Sequence, residues 1–267
     1  MSEITLSQAR EALAAGGIVG PHQSHTRQNN ISKIHGLIEG PSDEWFGLSG
    51  MDSYSPAEVL GWLAELTGCS TALEDVSGCD VMDADKTVAA IVRAASRLKA
   101  EAERGSVLLA ATGHPTGMLE HNIRVVDAYR RAGGKILHLR EDERFVIGRK
   151  EAEVRYVGSV GCFADWGALR HTHSAAPMEA LLRAEPWPDI VLGDHGFAGA
   201  AIERGIPTIA IMDINDPALA VAWARTGGAE SQDVSIIPMD DNRPPRLYEA
   251  SWRLFEQVLA GWEPVQN

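Results

Sequence analysis

Apolar runs alternating with helical stretches after Gly105 predict an α/β fold, a mainly parallel sheet flanked by helices in a Rossmann-like three-layer arrangement. Three observations carry the prediction. Val107-Leu108-Leu109-Ala110-Ala111 and Ile206-Pro207-Thr208-Ile209-Ala210-Ile211-Met212 are continuously apolar, as strands buried on both faces must be. The segments between such runs show helical spacing, and polar, mostly glycine-containing turns join the two. The expected organisation is one compact domain. A helical N-terminal region, 1–104, packs on an α/β core, 105–267, that carries a small β-hairpin insertion.

In chain order, Leu6 to Ala15 is a short amphipathic helix with Ser7 as a candidate cap, stopped by Gly16-Gly17. A polar stretch, Gly20 to Asn30, precedes a second helix over Ile31 to Ile38. Ser55-Pro56-Ala57-Glu58 is a capping box with proline at the first helical position, opening a helix to about Leu66. Asp85 to Arg104 places Val88, Ile91, Ala95 and Leu98 on one stripe of a long helix. The strand at 107–111 leads through Thr112-Gly113-His114-Pro115-Thr116-Gly117 into a helix over Leu119–Ala132, then a strand over Lys135–Leu139. Phe145–Gly148 and Arg155–Val160 form the expected hairpin, with a further piece at Val160–Phe163. A loop at Gly167–Ser174 enters a helix at Pro177. Asp189–Leu192 is a strand, Gly193-Asp194-His195-Gly196 a tight turn and Phe197–Arg204 a helix. The strand at Ile206–Met212 ends at Asp213-Ile214-Asn215-Asp216, before a helix from Pro217. Val234–Pro238 is the last strand, and a helix over Leu247–Leu259 closes the chain.

Composition excludes several function classes. A net charge of −13 repels nucleic acid and anionic membranes, and no basic cluster offsets it. No run approaches the ~18 apolar residues of a membrane span. The N-terminus has an early acid and no basic-then-apolar signal pattern, so the expected location is the cytoplasm. Cys69, Cys79 and Cys162 make an odd, irregularly spaced set, expected as free thiols in a reducing compartment. The tryptophans fall in helical or turn contexts and are expected as core or lid material.

In parallel sheets, ligands sit outside the carboxyl ends of the strands, so the polar turns above give the site an address. His195, Asp194, His114 and Asp213 are the candidate catalytic residues, expected in one pocket. The simpler reading of Asp194 is a helix cap beside a hydrogen-bonded histidine. Thr112, Gly113, Thr116, Gly117 and Gly196 are candidates to present hydroxyls and backbone amides to an anion. His171 and His173 share one side if extended, a spacing for metal or phosphate. Asn215 and Arg243 are further anion contacts, with Arg27 and Asn30 reaching the crevice if their helix folds over the sheet edge. Structural roles are favoured for the loose cluster of His22, His25 and His35, and a capping role for Asp216. Asp194, His195, Asp213 and Asp240 are the candidate metal ligands, and a divalent cation (Mg, Mn or Zn) is one route to catalysis. Asp241 and Asn242 stand beside Asp240 at the end of the last strand.

The turn at 112–117 lacks the Gly-Lys-Ser/Thr ending of a Walker loop and the dinucleotide Gly-x-Gly-x-x-Gly. The Arg-His-Gly and Cys-x₅-Arg signatures of known phosphatases are also missing. The segments Arg27–Asn30, Ala111–Gly117, Leu169–Ser174, Gly193–Ala201, Asp213–Ala220 and Ile237–Asn242 instead resemble an actinobacterial family named simply "phosphatase", over nearly the whole chain. That resemblance implies hydrolysis of a phosphate monoester on a small phosphorylated metabolite, metal-assisted or by direct attack of a side chain. The alternatives are a sensor that binds a phosphometabolite without turnover, and a sugar-phosphate isomerase or lyase. Expected partners are a small anionic metabolite and, as a further option, a second copy of the chain.

Overall fold

The computed structural model describes residues 3–141, 143–147 and 150–263. Its elements are α1 (Leu6–Ala15), β1 (Gly20–Pro21), α2 (Arg27–Ile38), α3 (Pro56–Thr67), β2 (Val81–Met82), α4 (Ala84–Arg104), β3 (Val107–Thr112), α5 (Pro115–Arg131), β4 (Lys135–Ile136), β5 (Arg144–Ile147), β6 (Lys150–Val157), β7 (Val160–Asp165) and β8 (Ala168–Leu169). They continue as α6 (Ala176–Leu181), β9 (Ile190–Asp194), α7 (His195–Glu203), β10 (Thr208–Met212), α8 (Pro217–Arg225), β11 (Val234–Pro238) and α9 (Glu249–Leu259). Gly148 of the expected hairpin and positions 264–267 of the expected core lie outside the described residues.

The apolar runs form the parallel part of a nine-stranded sheet ordered β11-β10-β9-β3-β7-β6-β5, with β4 beside β3 and β8 beside β7. Pairing is parallel from β11 to β7 and antiparallel from there outward. Alternate residues go to opposite faces, as the period of a strand requires. Leu108, Ala110, Ile190 and Leu192 join the larger core with α4, α5 and α9. Leu109, Ala111 and Val191 join a second core with Met178, Leu181 and Phe197 from α6 and α7. The chain leaves β3 toward β4 and β7, then returns to lay β9 against the other side of β3. The strand order therefore reverses between β3 and β9, which opens a crevice at their carboxyl ends.

Several boundaries differ from the sequence expectation. The arm expected over Arg155–Val160 breaks at Gly158 and Ser159, both left-handed (φ 56° and 66°), and the chain folds back there as β6 and β7. Two successive residues with positive φ make the tight turn that matches strand twist. The insertion is thus an antiparallel extension of the main sheet. The strand expected at Lys135–Leu139 is laddered only at 135–136, because β7 takes the edge of β3 from Ala110 onward. The first helix is capped by Thr5 with Gln8 in a capping box, in place of Ser7. The helix after β9 begins at His195, so no separate turn intervenes. Among the first hundred residues, β1 and β2 form an antiparallel ladder that the helical reading did not include. No described helix is long and apolar enough to cross a membrane. All three cysteines are free.

Between α5 and α9, His121 is fully buried. Its Nδ1–H donates to the Asn122 carbonyl oxygen (2.9 Å), so Nε2 accepts the Ser251 hydroxyl (2.9 Å). Burial pushes this imidazole down to about 4. The folded state thus keeps it neutral while the unfolded chain protonates it near pH 6.5, so stability is full above that pH and falls as pH drops toward 4. We expect replacement by Gln to remove on the order of 3 kcal/mol from the loss of unfolding free energy across that window. Identical pH profiles for the two proteins in urea melts would contradict this.

Candidate active site

Four of the parallel strands deliver one or more polar residues to the same rim. Thr112 ends β3, Asp194 ends β9, Asp213 follows β10 and Asp240-Asp241 follow β11. The loop after β8 is drawn to that rim by Thr172 N–H, which donates to the Gly113 carbonyl (2.9 Å). Asp194, Asp213, Asp216, Asp240 and Asp241 are all buried. Among the described residues, no lysine or arginine forms an ion pair with any of the five.

His195 is the centre of the cluster. It is 3% exposed and left-handed at φ 42°, a conformation that costs a non-glycine residue roughly 1–2 kcal/mol. Its Nε2 lies 3.5 Å from Asp216 Oδ2 and 3.6 Å from Asp241 Oδ2, and its Nδ1 3.6 Å from Asp194 Oδ1. Burial alone depresses an imidazole, but the carboxylates of Asp216, Asp241 and Asp194 outweigh it and hold His195 up at about 10. His114 Nδ1 lies 3.3 Å from Asp241 Oδ1. Burial opposes its protonation, and Asp241 overcomes that and raises it. His171 stacks on His114, with centroids 4.5 Å apart, and is lowered to about 4 by burial and by the neighbouring His195, His114 and His173. Phe46 walls the ring cluster, 5.4 Å from both His173 and His195.

Asp213 and Asp240 gather on the other side of the cluster, around His22. Burial pushes Asp213 up. Asn242 joins the two groups, donating from Nδ2 to Asp213 Oδ2 (3.3 Å) and Asp241 Oδ1 (2.9 Å). A cavity of about 200 Å³ opens over the whole, lined by His25, Asn29, Lys33, His114, His171, His173, His195, Asn215 and Asn242. A larger groove, about 1090 Å³, runs between α4 and the edge strand β11, but no histidine lines it. The chemistry therefore belongs to the smaller cavity.

The structure brings His114, His195, Asp194 and Asp213 together, with His171, His173 and Asn215 on the cavity wall. Asp194 lies outside every set of potential ligand atoms. Its oxygens accept the Thr112 hydroxyl and the Gly113 N–H (2.5 Å), which orients it toward His195. Gly113, Gly117 and Gly196 have a packing role. A Cβ there would lie 2.4 Å from Thr172 O, 2.0 Å from Asp241 O and 2.3 Å from the Ser174 carbonyl group, so they let neighbouring loops close on one another. Thr116 is exposed and does not line the cavity. Arg27 faces inward, bonded to Asp80 and to the carbonyls of Asp75, Ser70 and Ala72, with Asn30 on Asp80 as well (2.7 Å). Both tie down the 70–80 loop, and the cavity-facing residues of α2 are Asn29 and Lys33. Arg243 is turned toward the Gly16 carbonyl (3.4 Å).

Sequence reasoning passed over His22, His25, Asp216, Asn29 and Lys33 as site residues. Asp216 stands at the N-cap position of α8, yet its side chain makes no cap bond and instead accepts the Asp213 N–H (3.1 Å) while facing His195. The readable signal was the Asp213-x-x-Asp216 spacing beside Asp240-Asp241. Lys33 reaches Glu44 (2.7 Å), which also meets His173 (3.2 Å). Burial opposes ionisation of Glu44, but these two partners hold it down at about 2.

Fold and site together define an α/β protein with a buried histidine–aspartate centre at the carboxyl end of a parallel sheet. The chain belongs to the family described as Phosphatase, which matches residues 5–258. It is similar to the protein named Phosphatase SCO2771 from Streptomyces coelicolor (strain ATCC BAA-471 / A3(2) / M145), 34% identical over 242 residues, covering 88% of this chain and 87% of that one.

Thr112 Oγ1 both donates to Asp194 and accepts the His114 N–H (2.9 Å). Thr112→Val should therefore strand a buried carboxylate and a buried N–H, lowering stability by about 1–3 kcal/mol, with Thr112→Ser restoring most of it. Denaturant titration of the three proteins checks this; a valine variant as stable as the parent would refute it.

Proposed function

We propose that the protein hydrolyses a phosphate monoester of a small metabolite, assisted by a divalent cation at the His195–Asp216–Asp241 centre. The observation that carries the reading is the buried carboxylate cluster, which no Lys or Arg among the described residues pairs, under a polar cavity in a chain of the Phosphatase family. Buried charges require a counter-charge, and ligand atoms of His195, Asp216 and Asp241 lie within 4.8 Å of one another, as do those of His114, His171 and His195. The mixed imidazole and carboxylate donors suit Zn or Mn, and the carboxylates also suit Mg. Asp241 Oδ2, His114 Nδ1 and His195 Nδ1 are buried without hydrogen-bond partners, which fits donors that await a cation.

A cation there neutralises phosphate charge and lowers the pKa of water at the centre. The chain's own residues do the rest. Lys33, Asn29 and Asn215 supply positive charge and N–H donors to phosphoryl oxygens along the cavity wall. His171, kept neutral by burial and its neighbours, adds no positive charge to the wall and leaves a ring nitrogen free to bind. At His195, set among three carboxylates, a cation would compete with a proton for the same ring nitrogen. At about 200 Å³ the cavity is below the roughly 300–1,000 Å³ of drug-sized sites, which favours a compact phosphate ester over a nucleotide. The strand–helix alternation over 107–238 supports a Rossmann-like core, whose ligands sit at this rim.

The test is phosphate release from a panel of small phosphate monoesters after chelation and again after adding Mg²⁺, Mn²⁺ or Zn²⁺. Turnover should fall with chelator and return with an ion. Asp216→Asn should lower kcat by about 100-fold or more, and Lys33→Ala should act mainly on KM. Ester binding without phosphate release by the unaltered protein under every ion would overturn the reading in favour of a binding protein.

A further inference from the structure

We propose that His22, Asp213 and Asp240 hold a second divalent cation beside the first, making the centre dinuclear. Their ligand atoms lie within 4.8 Å of one another, and all three side chains are fully buried. His22 supplies the decisive observation. Its Nδ1 lies 3.2 Å from the His25 carbonyl oxygen, which can only accept, so Nδ1 carries the hydrogen. Nε2 is thereby the ring nitrogen that faces Asp213 Oδ1 (2.9 Å) and Asp240 Oδ2 (3.5 Å). Three potential ligand atoms converge, and Nε2 has no hydrogen-bond partner although an oxygen is within 3 Å. A hydrogen placed on Nε2 would be out of line with that oxygen, whereas a cation placed between the three atoms satisfies all of them. A ring nitrogen fixed by a backbone carbonyl on its far side is also how metal-binding histidines are commonly oriented.

The surrounding contacts support the same assignment. Asp240 accepts the Ser24 hydroxyl (2.7 Å to each oxygen) and the Asn242 N–H (3.0 Å), and Asp213 accepts the Ile214 N–H (2.6 Å). The carboxylates are thus held in place from outside, with their remaining oxygen surfaces turned to His22. His22 is itself located by its N–H on the Asp80 carbonyl (2.8 Å), and the Asp240 N–H meets the Ile18 carbonyl (3.0 Å), which docks segment 18–22 against the end of β11. The two centres are neighbours. Asn242 Nδ2 bonds Asp213 of one and Asp241 of the other, and the Asp213 N–H bonds Asp216. Two ions held at these adjoining sets would be near enough to act on one phosphoryl group, the arrangement used for in-line displacement at paired metals. Three protein donors leave positions on the second ion for water and substrate.

This inference rests on the cation reading of the proposed function, and its test separates the two. Full-length protein is stripped with chelator, reloaded with Mn²⁺ or Zn²⁺ alone, desalted and its metal counted per chain. Two equivalents are expected, falling to about one in His22→Ala and, independently, to about one in Asp216→Ala. The Mn²⁺-loaded parent should also give the electron paramagnetic resonance spectrum of a coupled pair, which His22→Ala replaces by that of isolated ions. One equivalent in the parent, unchanged by His22→Ala, overturns the second position and leaves the single-cation reading standing. No bound metal with either ion overturns both. Should His22→Ala fail to fold, anomalous scattering from Mn²⁺-soaked crystals of the parent decides. Two peaks about 3.5–4 Å apart support the pair, and a single peak overturns it.

Discussion

Five carboxylates buried at one end of a parallel sheet set the terms for the rest of this structure. Parallel strands all end at the same rim, so residues just past the last ladder pairs are neighbours without any help from loop conformation. Ile211 pairs with Asp194 and Met212 with Pro238, which puts Asp194, Asp213 and Asp240 within a step of one another across three strands. The same arrangement that makes the core continuous and apolar concentrates charge at its edge. Removing a carboxylate from water costs several kcal/mol unless it is compensated. Thr112, Gly113, Ser24, Asn242 and the imidazoles provide part of that compensation, and Asp241 Oδ2 is left without a hydrogen-bond partner.

The helices that follow these strands pay for this in capping. His114, Asp194 and Asp216 occupy the N-cap positions of α5, α7 and α8, and none of their side chains makes a cap bond. The four helices before β3 are all capped: Thr5 and Ser55 form capping boxes, Thr26 accepts the Asn29 N–H and Asp83 accepts two backbone N–H groups. A side-chain cap is typically worth about 1 kcal/mol. The helices around the site forgo it, and their N-terminal side chains are turned to one another across the rim. Local propensity was overruled where chemistry needed the side chain, which is where such violations are expected in a folded sequence.

That contrast explains what was legible in the sequence. Continuous apolar runs revealed the central strands, because a strand covered on both faces has no other composition available to it. Asp194, His195, His114 and Asp213 were legible because they follow those runs directly. Asp216 was hidden by its position: an acid before proline at a helix start has an ordinary explanation, and only the three-dimensional direction of its side chain removes it. His22 lies far along the chain from the other cluster residues, on a segment that reaches the site through the β1–β2 ladder and a bond to Asp240, and nothing local in its sequence announces that contact. Arg27 failed in the opposite sense, while Lys33 on the same helix was passed over. Both lie on α2, but the helix turns Arg27 into the 70–80 loop and Lys33 to the cavity, a choice set by rotation about its axis. The glycines of the 112–117 turn were expected to admit a ligand, whereas they admit other loops.

An anionic substrate meets an apparent contradiction in this protein. The chain carries a net charge of −13, and beneath the histidines and asparagines that line its cavity lies a floor of buried acids. A phosphate dianion approaching five carboxylates unscreened would be repelled, since charges in a poorly hydrated site interact far more strongly than in water. Protonated histidines offset part of that repulsion, but His171 is kept neutral and His195 is already engaged by three acids. Lys33 is the one lysine or arginine lining the cavity among the described residues, and it is shared with Glu44. Cations are the remaining means of reversing the sign of the floor. On the proposed reading they therefore come before the substrate in any binding order, because the acids that would repel a phosphate are the groups that hold the ions attracting it. On the same reading the negative surface would disfavour nucleic acids and other polyanions at long range, and the ions would leave one small patch suited to a compact phosphate.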